Sequence, residues 1–471
     1  MSAQKTTFAL FFGNRGFFPA SLIAQAREEL PRVLKKWGHD VLMLDENATS
    51  HGAVETPREG EVYANFLRQN RGRFGGVILC LPNFGDETGA VAALQDAGVP
   101  ILIQGYPDEL DKMAPETRRD AFCGKISIMD VFGQYNLKFT VLRPHVVNPT
   151  SKQFEANVDH FDRVCRVVNG LQGTVVGAIG ARTTPFKTVR IDEVTLQRHG
   201  VTVETLDLSE IIARVRALST DDAAYEDKAR TLKEYTSWAG VPEEAFKNIA
   251  RLGVVLDQVI KEYQMDAIAM RCWLELQKQL GISTCVLLGD LNNRGIPAAC
   301  EVDVANAVMM RALSLASDGP ATCLDWNNNY GDDEDKCILF HCGSAPKKMM
   351  TDAGRIADHA ILANDVGQGC SYGCHIGRIA STDLTFGSLL TDEGGVKCYL
   401  GEGRFTRDKI PEEFFGCAGV AEIDDLQDVL LHVGYGGYRH HVSVTPGKVL
   451  APLHEALAYY LGFEVALPQG G

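Results

Sequence analysis

Four short segments put carboxylate and imidazole groups where an apolar run gives way to a loop. In parallel α/β domains that is where ligand sites form. The first segment is Asn292 to Asp303, which contains Ala298-Ala299-Cys300-Glu301-Val302-Asp303 and runs into a helical pattern at about 302–316. Glu301 then reads either as an acidic residue in a first helical turn, favoured by the helix dipole, or as a metal ligand at the top of a sheet. The second is Thr322-Cys323-Leu324-Asp325-Trp326, where Asp325 serves a turn or the same ion. The third, Ile338-Leu339-Phe340-His341, ends an apolar strand on an imidazole. The fourth, Gly434 to Val444, carries Arg439-His440-His441. Adjacent strand residues face opposite ways, so one of the two histidines would enter a given site. Glutamate, aspartate and imidazole together suit a borderline divalent cation, Mn²⁺ first, with Zn²⁺, Co²⁺, Ni²⁺ and Mg²⁺ also compatible. No short fixed spacing joins the four segments.

Composition narrows the field. The 471 residues carry a formal net charge of -15, which speaks against a nucleic-acid binder. The apolar run Phe8–Phe12 is too short for a signal-peptide core, and no stretch reaches the roughly 20 apolar residues that span a bilayer. A cytoplasmic protein is the expectation. The 13 cysteines are scattered without a paired CxxC pattern, as free thiols of a reducing compartment would be. Cys370 and Cys374, in Gly369-Cys370-Ser371-Tyr372-Gly373-Cys374, read better as part of a glycine-rich loop than as a metal site. There is no P-loop, no GxGxxG opening a helix and no GxSxG elbow; Gly13-Asn14-Arg15-Gly16 is not a nucleotide fingerprint.

The elements that must position these groups fall into three blocks. Residues 1–165 alternate buried strands (7–12, 39–44, 75–81, 99–103) with amphipathic helices, the pattern of a parallel sheet covered on both faces. Residues 166–345 repeat it, with strands at 175–179, 201–206, 266–270 and 283–288 and helices at 208–218, 227–264 and 304–316. Residues 346–471 turn to short β-prone runs such as 395–400 and 428–433, closed by a helix at 453–461. The expected fold is two Rossmann-like α/β domains followed by a smaller β-rich domain.

At these segments the chain resembles the L-fucose isomerase and L-arabinose isomerase superfamily, as a compact fucose isomerase-like member. The family pattern has a glutamate in a small-residue segment before a helix, a second carboxylate at the next strand end and a histidine in a late glycine-rich strand. Glu301, Asp325 and His440 or His441 match those positions, with a lean to His441. His341 matches a further histidine of the arabinose branch; the aspartate at 325 follows the fucose branch. The resemblance implies a trimer or hexamer with active sites completed by a neighbouring subunit's first domain. Arg15, Asn83 and Gln134 are candidates for that contribution. It also implies aldose–ketose isomerisation on a sugar through a cis-enediol, with Glu301 and Asp325 as metal ligands sharing acid–base work, His441 or His440 fixing the ion and His341 assisting.

Trp326 could wall the sugar's carbon face, although a core role suits it equally. The sugar-binding loops do not match readily, so a modified or anionic sugar is in view; Arg15, Arg182, Arg271 and Arg439 are the candidate partners. Two other readings use the same residues. One is different enediolate chemistry on a sugar, such as epimerase, aldolase or transaldolase-like reactions. The other is non-catalytic sugar binding.

Overall fold

The computed structural model describes residues 5–470. The chain forms two compact units. One runs to Asn169 and includes Glu455–Leu461; the other comprises Gly170–His454 and the segment from Gly462 onward.

In the first unit, strands β1 (Phe8–Phe12), β2 (Val41–Met43), β3 (Gly76–Leu81) and β4 (Ile101–Gly105) form a parallel sheet in the order β2-β1-β3-β4. The alternation of strand side chains explains why these runs are apolar throughout. Phe8, Leu10 and Phe12 meet Ile23, Leu30 and Leu34 of the helix Ala20–Lys36 on one face. Ala9 and Phe11 meet Tyr63, Leu67 and Ile128 on the other.

The second unit begins with the same order. Strands β5 (Thr174–Ile179), β6 (Val201–Leu206), β7 (Ala267–Met270) and β8 (Ala298–Cys300) are parallel and run β6-β5-β7-β8. Ile249, Leu252, Leu256 and Val259 of the helix Glu243–Glu262 fill one side of this sheet's core.

The rest of the unit is built on β9 (Thr322–Tyr330), β10 (Asp333–His341), β11 (Arg355–Ala357), β12 (Cys374–Arg378), β13 (Thr382–Asp392), β14 (Gly395–Phe405), β15 (Cys417–Glu422), β16 (His441–Pro446) and β17 (Glu464–Ala466). They make one nine-stranded sheet, order β11-β12-β15-β10-β9-β16-β13-β14-β17. An additional β14–β15 pairing closes the six strands from β15 to β14 into an antiparallel barrel. Leu324, Leu339, Leu384, Phe386, Tyr399, Val442 and Val444 fill it.

Four sequence expectations change. The run 283–288 is not a strand: it opens the helix Cys285–Asn293. That helix is buried on all sides, and a short apolar run bounded by turns does not separate such a helix from a strand. The strand that leads into Glu301 is instead the three-residue β8. Residues 428–433 lie in the helix Leu426–Tyr435, whose buried Leu426, Val429 and Val433 follow helical spacing. The terminal helical stretch starts earlier, at Leu450–His454, and continues as a π-helical segment over Glu455–Tyr460. Finally, β9 and β10, which lie before residue 345, pair into the C-terminal barrel and not into the parallel sheet.

Candidate metal centre

Glu301 stands in the turn between β8 and the helix Val304–Ser317. Its φ is 63° and that of Val302 is 61°, so two successive non-glycine residues, one β-branched, are left-handed. Such positions cost on the order of 1–3 kcal/mol each and persist where neighbours over-determine them. Here Val302 N–H donates to the Met270 carbonyl at 3.3 Å and Asp303 N–H to the Cys300 carbonyl at 3.1 Å. The turn delivers Glu301 at the carboxyl edge of the parallel sheet. The helix is then capped by Asp303, whose carboxylate accepts from Asn306 N–H at 3.1 Å. Glu301 is thus outside the helix, and the helix-dipole reading belongs to Asp303.

The other groups come from the barrel. β16 pairs with β9 so that His441 lies opposite Asp325, Val442 opposite Leu324 and Ser443 opposite Cys323. Cross-strand partners share a face. Leu324 and Val442 point into the barrel. Asp325, Cys323, His441 and Ser443 therefore take its outer face, against the helix Val304–Ser317. Ser443 Oγ donates to Asn306 Oδ1 at 2.8 Å, and Thr445 Oγ1 to Ser317 Oγ at 2.8 Å. His341 ends β10, the neighbour of β9 on its other side.

These elements converge on one imidazole nitrogen. His441 Nε2 lies 2.9 Å from Glu301 Oε2 and 3.5 Å from Asp325 Oδ1. His441 Nδ1 is 2.8 Å from Asp303 Oδ2, and Arg439 pairs with the other oxygen of that carboxylate. Asp303, His441 and His341 are all buried, Asp303 and His441 completely. His440 is turned outward, with its side chain 43% exposed and Nε2 3.9 Å from Asp325 Oδ1.

The charges couple strongly. Burial alone would raise the Glu301 carboxyl, but His441, then His341 and the Trp273 N–H, hold it down to about 2. Asp303 is held well below the carboxylate range, burial being overcome by Arg439, His441 and Asn306. His441 is pushed well above an ordinary imidazole, because Cys323, Asp303 and Glu301 outweigh the cost of burying its charge. His440 moves the other way, lowered by burial and by the cation at His441.

The donor set fits a divalent ion. Asp325 Oδ1 and His341 Nε2 are buried with no hydrogen-bond partner, and Asp325, His341 and His441 each offer one atom within 4.8 Å of the others. Buried polar atoms are rarely left unpaired. Adjacent ligands of an ion held octahedrally at roughly 2.1 Å stand roughly 3 Å apart, close to the 2.9 and 3.5 Å between His441 Nε2 and the two carboxylates. The carboxylate on Nδ1 leaves Nε2 as the nitrogen of His441 that faces the two carboxylates and is free to meet a cation. His341 differs: its Nδ1 accepts the Cys342 N–H at 2.9 Å, so the neutral ring carries its proton on Nε2 and presents a donor to the site.

Aromatic rings wall the centre. Trp273 Nε1 donates to Glu301 Oε1 at 3.1 Å. Phe186 stands edge-on to Trp273 (5.7 Å between centroids) and to His440 (5.5 Å). Sequence reading singled out neither of these, nor Asp303; the signals were the Glu301-Val302-Asp303 spacing and aromatic residues just beyond strand ends. Trp326 alternates to the barrel interior, where Nε1 donates to Tyr399 Oη at 3.0 Å and the ring packs on Phe386. Arg439 is 4% exposed and committed to Asp303. Arg182 and Arg271 follow β5 and β7 and are bonded to backbone carbonyls of the surrounding loop. Cys374 Sγ donates to the Cys342 carbonyl at 2.8 Å, and neither it nor Cys370 joins a group of metal-ligating side chains among the described residues.

In the first unit, Arg15 and Asn83 meet beyond β1 and β3, Arg15 N–H donating to Asn83 Oδ1 at 3.2 Å. Gln134 lies apart from them, at the exposed end of the helix Ala121–Gln134, bonded to Asp130.

Two family models match the chain. One describes the N-terminal domain of fucose/sulfoquinovose isomerase and covers residues 9–172; the other describes the C-terminal domain of L-fucose isomerase and covers residues 339–467. Among curated relatives, the sulfoquinovose isomerase of Priestia aryabhattai is 20% identical over 310 residues, 65% of this chain and 68% of that protein. That of Clostridium sp. (strain MSTE9) is 26% identical over 294 residues, 61% of this chain and 64% of that one. That of Alkalicoccus urumqiensis is 23% identical over 207 residues, 44% and 46% of the two chains.

Proposed function

Because the chain belongs to the fucose isomerase-like family and is an aldose–ketose isomerase, we propose that it works on an open-chain sugar with a divalent ion, Mn²⁺ first, held by Glu301, Asp325 and His441. The supporting observation is the convergence of both carboxylates on His441 Nε2, with buried donor atoms left unpaired around it.

When bound, the ion is a Lewis acid that steadies negative charge on the sugar's oxygens while a proton moves between neighbouring carbons. Glu301 and Asp325 share the proton transfer. One ionised carboxylate takes the proton α to the carbonyl, leaving a cis-enediolate; a proton passes from the hydroxyl oxygen to the former carbonyl oxygen by way of the cis-enediol, and the carboxylate returns its proton to the adjacent carbon. Glu301 is kept ionised by its surroundings, down to about 2, and the Trp273 N–H on Oε1 fixes its rotamer. Proton transfer needs the carboxylate oxygen roughly 2.6–3.2 Å from the carbon or oxygen it serves, so this fixed rotamer matters. His341 offers an Nε2–H to a sugar hydroxyl or to Asp325. Asp303 holds the His441 ring in the tautomer that leaves Nε2 free.

The relatives act on sulfoquinovose by name, and we take a sulfonated aldose as the first substrate to try. The test is a Mn²⁺-supplemented screen of neutral, sulfonated and phosphorylated aldoses in D₂O, read by NMR. Deuterium at C1 or C2 with a ketose–aldose pair of unchanged carbon skeleton is the expected result. Both Glu301→Gln and Asp325→Asn should lower the exchange rate at least 10³-fold with folding retained, on the order of what positioned acid–base groups contribute. Exchange that persists in either variant would overturn the assignment, and a cleaved or epimerised product would overturn the reaction.

A further inference from the structure

Phe186 supplies no charge and no proton to the candidate centre, yet its ring meets three of the side chains around it. Ring centroids lie 5.7 Å from Trp273, 5.5 Å from His440 and 5.9 Å from His441. Trp273 occupies one oxygen of Glu301 through its indole N–H, and His441 Nε2 faces the other. Phe186 therefore spans from the group on Glu301 Oε1 to the group on Oε2. The two carboxylates are not sealed by their own partners: the Glu301 side chain is 15% exposed and that of Asp325 19%, against none for His441.

The ring reaches this place on a loop, not from the core. It stands between β5 and the helix Glu193–Arg198, with exposed Pro185 and Lys187 on either side. Apolar packing in the sheet's core does not use it. The loop is pinned at its stem instead. The Thr183 hydroxyl and Arg271 Nε donate to the Trp273 carbonyl at 3.2 and 3.3 Å, and Arg271 Nη1 donates to the Ala181 carbonyl at 3.5 Å. Arg182 Nη1 donates to the Thr183 and Thr184 carbonyls, each at 3.1 Å. A polar loop is thus tied down so that its one aromatic ring lies over the centre.

We propose that Phe186 keeps solvent water from the hydrogen in transit between the two sugar carbons. The inference rests on the isomerisation proposed above. There the C2–H bond of the aldose breaks, its electron pair becomes the C1–C2 double bond of the enediolate, and the proton rides on a carboxylate oxygen until it is set on C1. Water that reaches that oxygen meanwhile exchanges its own proton for the one carried. An apolar wall slows the leak. A ring that only filled space in the loop would affect stability on removal and leave the fate of the hydrogen unchanged.

The test uses full-length, Mn²⁺-loaded protein in ordinary water and a C2-deuterated aldose of the class that the D₂O screen finds turned over. Deuterium at C1 of the ketose at low conversion, read by NMR and mass spectrometry, is the share carried across. Wild type should carry a measurable share, and Phe186→Ala about threefold less. Phe186→Leu and Phe186→Val should fall between them in that order, and Phe186→Val decides the matter if Phe186→Ala fails to fold. Mn²⁺ affinity should stay within about threefold across the series, because no candidate ligand or its orienting partner is changed. A second readout needs no turnover: protein-bound Mn²⁺ speeds the relaxation of water protons that reach it, and Phe186→Ala should raise that effect about 1.5-fold. Equal deuterium carry in wild type and the truncated variants would overturn the proposal, as would a wild type that carries none or a water relaxation that truncation leaves unchanged. A relaxation difference with no turnover of any sugar would sink the isomerase reading and leave the water-excluding ring standing.

Discussion

Replacing Asp303 by asparagine separates what holds the site together from what the site does. The carboxylate is fully buried and accepts from four donors: Arg439, His441 Nδ1 at 2.8 Å, Asn306 N–H at 3.1 Å and Asn306 Nδ2 at 2.7 Å. An asparagine keeps one oxygen and so can keep the helix cap, typically worth about 1 kcal/mol. It loses the charge. Arg439, 4% exposed, then has no counter-ion, and breaking such a pair from one side costs about 3–5 kcal/mol. For a fold of this size that lowers the melting temperature by roughly 3–8 °C. The amide also puts an N–H against either Arg439 or the His441 Nδ1–H, so the ring loses the partner that orients it. Loss of such a partner weakens metal binding about 10–100-fold.

The two effects come apart in the double variant Asp303→Asn/Arg439→Met. Removing the stranded cation should restore most of the stability, because a buried pair replaced by apolar groups is often neutral. Metal affinity should stay low, because His441 still lacks its carboxylate. Urea unfolding of metal-free protein gives the first quantity, and Mn²⁺ titration against a competing chelator gives the second. If Asp303→Asn bound Mn²⁺ within twofold of wild type, the ring would not depend on that carboxylate. The assignment of His441 Nε2 as ligand would then lose its structural basis.

Three further outcomes follow from the same geometry. His441→Asn should abolish stoichiometric Mn²⁺ binding in the chelator competition, whereas His440→Asn, whose imidazole is turned outward, should change affinity by less than tenfold; the reverse order would exchange their roles. In metal-free protein, Glu301 contributes about 3 kcal/mol, from its depression below the ordinary 4.5 to about 2. Its folded value lies below its unfolded one, so that stability is present above pH 4.5 and fades as pH falls toward 2. The stability gap between wild type and Glu301→Gln should therefore narrow over that interval when unfolding is followed in urea with a chelator present, and a gap independent of pH would refute the coupling.

How much of this was legible in the sequence depended on whether a feature was local. The buried parallel strands and their covering helices announce themselves, because a strand with both faces covered must be apolar along its length. Glu301, Asp325, His341 and the His440-His441 pair stood out because charged side chains interrupt apolar runs. The run at 283–288 misled because length and hydrophobicity alone do not tell a short buried helix from a strand. The three-residue β8 is shorter than any pattern can resolve. Asp303 was passed over because an aspartate before a helix is an ordinary cap. Its second task depends on Arg439 and His441, which are 136 and 138 residues away. For Trp326, which follows Asp325, a sugar-facing wall and a core role stand equal in the sequence; neighbours in a strand face opposite ways, and the ring takes the core role.

That alternation also ties the barrel's core to the choice of ligand. His440 and His441 are chemically the same, and what distinguishes them is the register of β16 on β9. Val442 and Val444 must enter the barrel, where they pack with Leu324 and Phe386. With those two positions fixed inside, His441 and Ser443 are fixed outside, against the helix that begins at the Asp303 cap. A slip of one residue would bury His440 in place of Val442's neighbour and push both valines out of the core. At roughly 1.5–3 kcal/mol for each valine side chain returned to water, the slipped pairing is heavily disfavoured. The imidazole that faces Glu301 and Asp325 is therefore selected by apolar residues that never touch the site. Any change inside the barrel that loosened Val442 or Val444 would reach the candidate metal centre first through the position of His441.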